Sequence, residues 1–182
     1  MGIMEERRRM PTRARVGARR KLDPQRLGAY IDRLYRAAWA MTGSREDADD
    51  LVQETYMRVL ARPRLLHSED DLGYLLCALR NTYRAQIRTQ GRRPRTAPLL
   101  EERDPVEERT SVEPHAALEA RDLFRMIASL PEDFRDVVTA IDVVGLSYEE
   151  TAHALNIPAG TVMSRLYRGR RRVVRLVEGG TA

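Results

Sequence analysis

The stretch SYEETAHALNIPAGTVMSRLYRGRRR, residues 147–172, decides the fold of the second half of this chain. Ser147 and Glu150 fit an S-x-x-E capping box, which marks the start of a short helix. Asn156 suits the tight turn that follows, because Asn tolerates left-handed backbone. A longer helix then runs from about Pro158 to Val177. This order of elements predicts a helix-turn-helix, whose second helix enters the major groove of DNA.

The second helix of this motif has two different faces. Apolar residues and a glycine at helical spacing predict the packed face, which consists of Val162, Leu166, Gly169, Val173 and either Leu176 or Val177. The adjoining stripe carries hydroxyls and arginines, which bind phosphates and guanine edges; its residues are Thr161, Ser164, Arg165, Arg168 and Arg172. Arg165 and Arg168 are the better candidates for contact with a base or the adjacent phosphate. Arg170, Arg171 and Arg172 are expected to contact the DNA backbone or stay solvated. The alternative is a basic helix face that serves only solubility.

Apolar spacing predicts three further helices in the first half of the chain. The first runs from Leu27 to near Gly43. The second, EDADDLVQETYMRVLA, residues 46–61, has an acidic outer face, and its inward residues are Ala48, Val52, Thr55 or Tyr56, and Val59. The third begins near Asp71, and beside its apolar stripe an arginine recurs every four residues, at positions 80, 84 and 88. No segment shows a convincing strand pattern.

Charge divides the chain into folded and unfolded segments. Eight basic residues against two acids fall in residues 1–21, whereas six acids against two arginines lie between Leu99 and Glu113, a segment that contains Pro105. We therefore predict an all-α protein with a disordered basic arm at 1–22, a helical domain at 23–93, a flexible acidic linker at 94–116 and a helix-turn-helix domain at 117–178. The arm either contacts DNA loosely, has little function, or reflects an over-long reading frame.

Enzyme chemistry has no support in the sequence. The one cysteine, Cys77, excludes an intramolecular disulfide and is interpreted as a small buried residue. His67, His115 and His153 are scattered without metal-ligand spacing; the first two are expected in loops. No phosphate loop or nucleophile motif is present, so no catalytic residue, metal or cofactor is predicted. There is no secretory signal and no apolar run of the ~20 residues that span a bilayer, so a cytoplasmic protein is expected.

Three segments in this order resemble the extracytoplasmic-function sigma factors, small two-domain members of the sigma-70 family. They are DADDLVQETYMRVL (47–60), YLLCALRNTYRAQIR (74–88) and the stretch from Leu130 to Arg172 that contains the helix-turn-helix. The resemblance implies a region 2 domain at 23–93 and a region 4 domain at 117–178. It also implies a non-catalytic subunit of bacterial RNA polymerase that directs promoter-specific initiation.

The resemblance implies three sets of site residues. The core-docking set, which is expected to contact the β′ clamp helices, is Asp50, Leu51, Gln53 and Glu54. The −10 set, expected to read and melt the −10 element, is Arg80, Asn81, Tyr83, Arg84 and Arg88. The −35 set is Thr161, Ser164, Arg165, Arg168 and Arg172. Tyr83 either stacks on a base or packs in the core. Asp71, Tyr74 and Ala85 depart from the usual family pattern, which leaves the −10 base preference open.

The resemblance further implies the partners. These are core RNA polymerase through β′ and β, promoter DNA, and an anti-sigma factor, with a monomer expected when neither protein partner is bound. The acidic linker is expected to thread through the polymerase cleft towards the RNA exit path. The competing interpretation is a conventional dimeric regulator with a C-terminal helix-turn-helix. Such a regulator needs a receiver or ligand domain, and the first half shows no strands from which to build one.

Overall fold

The computed structural model describes residues 20–22, 24–61, 65–66, 71–90 and 114–179. These residues form α-helices and one short strand pair, so the all-α prediction is confirmed. In chain order the elements are β1 (Arg20–Lys21), α1 (Pro24–Leu27), α2 (Ile31–Thr42), α3 (Arg45–Ala61), β2 (Leu65–Leu66), α4 (Asp71–Gln90), α5 (Pro114–Ala128), α6 (Glu132–Val138), α7 (Tyr148–Leu155) and α8 (Ala159–Gly179). We call α1–α4 the first helical group and α5–α8 the second helical group.

The first predicted helix is divided in the structure. A 3₁₀ turn at Gly28–Tyr30 separates α1 from α2, because a glycine at the junction lowers helix propensity. Gly43 ends α2 as predicted: its φ is 76°, and its N–H donates to the Trp39 carbonyl at 2.8 Å. Ser44 then accepts the Asp47 N–H on its Oγ at 3.3 Å, which is one of the two hydrogen bonds of a capping box.

The core of the first helical group lies between α2, α3 and α4. Its fully buried side chains are Leu34, Met41, Leu51, Leu75, Leu76 and Leu79. The predicted inward face of α3 is confirmed, since Ala48, Val52, Thr55 and Val59 are all buried. Tyr56 lies at the edge of this core and donates its hydroxyl to the Leu27 carbonyl at 3.1 Å. That bond ties α3 to α1.

The end of the predicted disordered arm belongs to the fold. Strand β1 pairs antiparallel with β2, with Arg20 opposite Leu66 and Lys21 opposite Leu65. Leu22, only 9% exposed, joins the core of the first group. The prediction of disorder is therefore wrong for residues 20–22, because one buried apolar side chain and a short ladder hold this segment in place. The remainder of the arm lies outside the described residues.

The second helical group wraps α5, α6 and α7 around α8. Its core contains Ile127, Leu130, Val137, Leu155, Val162 and Leu166. Helix α6 continues into a π-helical turn at Thr139–Val143, and Gly145 (φ 81°) follows the end of the helix. Helix α5 begins at Pro114, inside the predicted linker. His115 therefore lies in a helix and not in a loop, because proline suits a first helical position.

The two helical groups pack against each other. Ala140, Val144 and Leu146 of the second group join the core of the first. In return, Ala40 of α2 joins the core of the second group. The division into domains at 23–93 and 117–178 stays a prediction, as does the flexible linker, since only residues 114–116 of the segment 94–116 are described.

Candidate nucleic-acid and polymerase interfaces

The helix-turn-helix forms through the local signals that predicted it. The Ser147 Oγ accepts the Glu150 N–H at 3.2 Å, and the Glu150 carboxylate accepts the Ser147 N–H at 2.7 Å. These bonds lower the pKa of Glu150 because they favour its charged form. Asn156 adopts left-handed backbone (φ 54°, ψ 50°), and the Ile157 N–H closes the turn on the Ala152 carbonyl at 3.0 Å. The turn therefore fixes the angle between α7 and α8.

One face of α8 packs on α6, as the spacing predicts. Val162, Leu166 and Gly169 are buried, and Val173 is half-buried. A Cβ at Gly169 would lie 2.6 Å from the Val138 Cγ2, so only glycine allows this approach of the two helices. The prediction is wrong at the end of the helix, where Leu176 and Val177 are 41% and 47% exposed.

The predicted −35 set lies along the outer side of α8, with different surroundings for its members. Arg168 and Ser164 are exposed, and the Ser164 hydroxyl donates to the Thr161 carbonyl at 3.0 Å. Arg165 is mostly covered and pairs with Asp133 at 3.1 Å. The guanidinium of Arg172 lies 4.7 Å from the ring centroid of Phe134, so this side chain packs on α6.

Arg170 has a structural partner that the sequence did not reveal. Its Nε and Nη2 donate to the two Asp142 carboxylate oxygens at 3.0 and 2.6 Å. The hydrogen bond that Arg170 donates to the Asp142 carboxylate raises the pKa of Arg170, which stays charged. This bidentate pair ties α8 to the π turn, so Arg170 has a structural role within the fold.

Two members of the predicted −10 set, Asn81 and Tyr83, lie in the middle of α4 and have different surroundings. Asn81 is exposed, and its Nδ2 lies 3.6 Å from the Cys77 Sγ. Tyr83 is half-buried against the core of the first group, and the Arg135 guanidinium lies 5.1 Å from its ring centroid. Burial raises the pKa of Tyr83. In this conformation the ring is a packing residue whose face is covered by α6.

The arginines of the −10 set meet acids of the second helical group. Arg80 pairs with Asp136, and Arg84 pairs with Glu132. Arg84 also reaches the Asp136 Oδ2 at 3.6 Å. Arg88 is exposed. It borders an open cavity of 320 Å³ whose other lining residues are Arg84, Ile87, Glu132 and Arg135. Carboxylates of the same chain therefore pair with two of the three arginines in the −10 set.

Asp136 is a buried carboxylate among three arginines. Its side chain is 5% exposed. Burial raises its pKa, and the charges of Arg80, Arg84 and Arg135 oppose that shift without cancelling it. Ionised Asp136 therefore carries a desolvation cost that the ion pairs only partly offset.

The sequence patterns did not single out the acids at 132, 133 and 136 as partners of these arginines. A signal was present: Glu132 and Asp136 are spaced i, i+4, which is also the spacing of Arg80 and Arg84. Two such pairs on facing helices can bond in register. Sequence spacing alone does not tell which helices face each other.

The predicted core-docking set is divided by burial. Asp50 and Gln53 are exposed on α3. Glu54 is half-buried, accepts from the Gln86 Nε2 at 2.6 Å and pairs with Arg58. Leu51 is fully buried, and its predicted contact with a partner stays a prediction. Leu51 holds α3 against the core of the first group.

Neither a metal centre nor a membrane span emerges from the described residues. No cluster of three His, Cys, Asp or Glu side chains with metal-binding geometry occurs among them. His153 is exposed on α7, and Cys77 is half-buried. None of the described helices is long and apolar enough to cross a membrane.

Comparison with known proteins matches both helical groups to one family. Residues 27–93 match the model for sigma-70 region 2, and residues 120–173 match the model for sigma-70, region 4. The ECF RNA polymerase sigma factor SigE of Mycolicibacterium smegmatis is 35% identical over 146 residues, which are 79% of this chain and 57% of that protein. The ECF RNA polymerase sigma-E factor of Haemophilus influenzae is 34% identical over 142 residues, 70% of this chain and 72% of that protein.

Two solved structures share the fold. The sigma factor RpoE from Bartonella quintana, crystallised with the anti-sigma factor NepR, matches with a TM-score of 0.64 at 23% identity, over 85% of this chain and 95% of that chain. CnrH, solved with the cytosolic domain of CnrY, matches with a TM-score of 0.58 at 21% identity, over 85% of this chain and 86% of that chain.

Proposed function

Because this chain belongs to the extracytoplasmic-function sigma factors of the sigma-70 family, we propose that it directs promoter-specific transcription initiation as a non-catalytic subunit of bacterial RNA polymerase. The observation that carries the proposal is the order of the two matched regions. Region 2 covers the acidic helix α3 and the arginine-bearing helix α4, and region 4 covers the helix-turn-helix. Since the chain spans 57% of SigE, the activity of the whole protein stays part of the proposal.

Core docking is assigned to the outer face of α3. Asp50 and Gln53 are exposed there, and Glu54 is partly accessible beside them. An acidic helix face suits a basic partner, because complementary charge speeds association and selects the partner. We propose the β′ clamp helices as that partner, with further contacts on β.

Promoter binding is assigned to α4 and α8. We propose that Arg80, Arg84 and Arg88 contact the backbone of the −10 strand, and that Asn81 helps hold an extruded base, whose unstacking costs a few kcal/mol. Tyr83 can stack on a base only if Arg135 moves away. On α8, the exposed Arg168 and the adjacent Arg165 are the candidates for reading the −35 element.

Other elements of the proposal rest on the family. An anti-sigma factor is the expected negative regulator, and the RpoE of Bartonella quintana was crystallised with one. The site of action is the cytoplasm, where polymerase and promoter DNA meet. We propose that the chain is monomeric without its protein partners.

Reconstitution tests the proposal directly. The purified full chain is mixed with core polymerase, and transcription is followed from promoters identified by sequencing transcripts after induced expression. The expected result is stable core binding and initiation at promoters that share −35 and −10 elements. A chain that binds duplex DNA as a dimer but never binds core would instead be a conventional regulator.

A further inference from the structure

The buried line of α4 ends in a polar side chain. Leu75, Leu79 and Thr82 follow one another at helical spacing, and all three are buried. Gln86 is the next residue on this line and is half-buried, whereas the adjacent Ile87 is 45% exposed. At the end of its buried line, α4 therefore presents an amide and not an apolar side chain.

The Gln86 amide bonds to the docking helix α3. Its Nε2 donates to the Glu54 Oε2 at 2.6 Å, across 32 positions of sequence. The other oxygen of this carboxylate, Oε1, accepts from the Arg58 Nη2 at 2.5 Å. The Glu54 side chain is 31% exposed, and both of its oxygens are held by donors. Glu54 therefore has one preferred orientation, in place of the several rotamers that a free glutamate samples.

An amide fixes this carboxylate without cancelling its charge. The glutamine donor is neutral, so the bond leaves the negative charge of Glu54 in place. Asp50, one turn before Glu54, is exposed, and Arg58, one turn after it, is 52% exposed. The row along α3 is therefore two acids followed by one base, and the Gln86 amide adds no charge to it.

Gln86 lies on a different side of α4 from Asn81 of the −10 set. At about 100° per residue, five positions place the two side chains about 140° apart around the helix axis. The bond to Glu54 directs the Gln86 side chain at α3. A substitution at Gln86 therefore alters a contact of the docking helix without removing a side chain of the −10 set.

We infer that Gln86 is a positioning residue for core docking: its amide holds the Glu54 carboxylate in the orientation that a basic partner of α3 binds. The inference rests on the proposed function, because that function assigns the outer face of α3 to core polymerase. Ordering a long side chain at an interface weakens binding. Since the folded chain already holds Glu54 in place, loss of the Gln86 donor should weaken the complex by about two- to tenfold.

A double-mutant cycle on core affinity tests the positioning role. Gln86→Met removes the donor and keeps the length of the side chain, and Glu54→Ala removes the acceptor. A third variant carries both substitutions. The control Thr89→Val removes a hydroxyl of α4 whose hydrogen bond is to the Ala85 carbonyl of the same helix. The full-length chains are checked for folding by far-ultraviolet circular dichroism and titrated into core polymerase.

The cycle distinguishes positioning from a general effect on the fold. Gln86→Met should weaken core binding by about two- to tenfold when Glu54 is present, and should have no further effect in the Glu54→Ala background. Thr89→Val should bind core as wild type does. A residue that only stabilised the fold would weaken binding by the same factor in both backgrounds, so equal factors would overturn the inference.

The kinetics of binding give a second readout. Gln86→Met keeps the charge of Glu54, so its loss of affinity should come from faster dissociation. The salt dependence of its association rate constant should remain that of wild type, whereas Glu54→Ala should reduce this dependence. If Gln86→Met reduced the salt dependence as much as Glu54→Ala, Gln86 would act on the charge of the docking face and not on the orientation of Glu54.

Exchanging the two residues separates the orientation of the carboxylate from the bond between the helices. In Glu54→Gln/Gln86→Glu, the amide at position 54 can donate to the carboxylate at position 86, which restores the bond with its direction reversed. The negative charge has then moved off the docking face, so core binding should stay weakened. If the exchange variant bound core as tightly as wild type, the bond would act only by joining α3 to α4, and the inference would be wrong.

The outcomes separate this inference from the proposed function. If wild type binds core and the two substitutions act independently, the positioning role fails and the function as a sigma factor stands. If wild type does not bind core at all, the proposed function fails, and the positioning role falls with it. Should Gln86→Met fail to fold, Gln86→Ala completes the cycle by the same criteria.

Discussion

Trp39 of α2 and Phe124 of α5 stack across the two helical groups, with ring centroids 4.4 Å apart and planes inclined by 32°. Tyr35 flanks Trp39 on its own helix at 6.3 Å, and the Arg45 guanidinium lies 4.4 Å from the indole ring centroid. Trp39 is thus enclosed by residues of both groups. Its burial depends on how the groups are arranged and not on the first group alone.

Phe124→Ala should weaken this arrangement. Removing a half-buried phenylalanine should cost about 2 kcal/mol in the free energy of unfolding, less than the ~3–5 kcal/mol of a fully buried one. It should also shift Trp39 emission to the red. Urea unfolding, followed by circular dichroism and by fluorescence, measures both. The neighbour Leu123 is 43% exposed, so Leu123→Ala should cost less; an equal cost would show that the ring pair has no special weight.

Gly169→Ala should destabilise the helix-turn-helix. The added methyl group would meet the Val138 Cγ2 at 2.6 Å, and overpacking of this kind costs ~1–3 kcal/mol. A methyl group at Gly160 on the same helix would instead point into open space, with no neighbouring atom within 4 Å. Gly160→Ala should therefore stabilise by up to ~1 kcal/mol through helix propensity. Thermal unfolding of both variants checks the contrast, and opposite signs are required.

Asp50→Ala and Leu51→Ala should have different effects although the residues are adjacent. Asp50 is exposed, so its loss should weaken binding to core polymerase by about 1 kcal/mol and leave the fold intact. Leu51 is fully buried, so Leu51→Ala should cost ~2–5 kcal/mol of folding stability. Core affinity and urea unfolding are measured for each variant. If Leu51→Ala is stable but binds core less tightly, that result would instead support the predicted contact of Leu51 with core polymerase.

Arg168→Ala should weaken use of the −35 element by ~1–3 kcal/mol if a bidentate base contact is lost. Arg165→Ala should weaken this use by a smaller amount, because the wild-type arginine must first break its pair with Asp133. Core binding should persist in both. Arg170→Ala is the matched control, because Arg170 bonds Asp142 within the fold. Promoter binding by reconstituted holoenzyme provides the measurement, and an equal loss for Arg170→Ala would contradict the division of the arginines.

The free energy of unfolding should depend on pH through Asp136. Burial raises its folded-state pKa above the ordinary value of 3.8, against the opposing charges of Arg80, Arg84 and Arg135. A group with a raised pKa contributes stability at low pH and loses it as pH rises through the folded-state pKa. Wild type should therefore lose stability relative to Asp136→Asn as pH rises from 3.8 through the raised value. Urea titrations of both proteins across this pH range measure the difference in free energy of unfolding. A gain in the stability of wild type relative to Asp136→Asn would contradict the prediction.

The sequence by itself determined most of the helices and several of their ends. The capping box at Ser147 and Glu150, the left-handed turn at Asn156 and the helix end near Gly43 all form as predicted. These features depend on residues within a few positions of one another, so a short stretch of sequence is enough to predict them. The buried face of α8 was predicted for the same reason as far as Val173, whereas Leu176 and Val177 are exposed.

Only the tertiary structure decided which charges meet. Arg80 is 56 positions from Asp136, and nothing local to α4 shows that its arginine stripe would face an acidic helix. Long-range packing also decided the burial of Leu51, which depends on where α2 and α4 lie. Leu22 likewise is buried because it packs into the core of the first group. Helical spacing gives each side chain a direction around its own axis. The partner in that direction depends on long-range packing, because burial favours any apolar neighbour and salt bridges favour any opposite charge within reach.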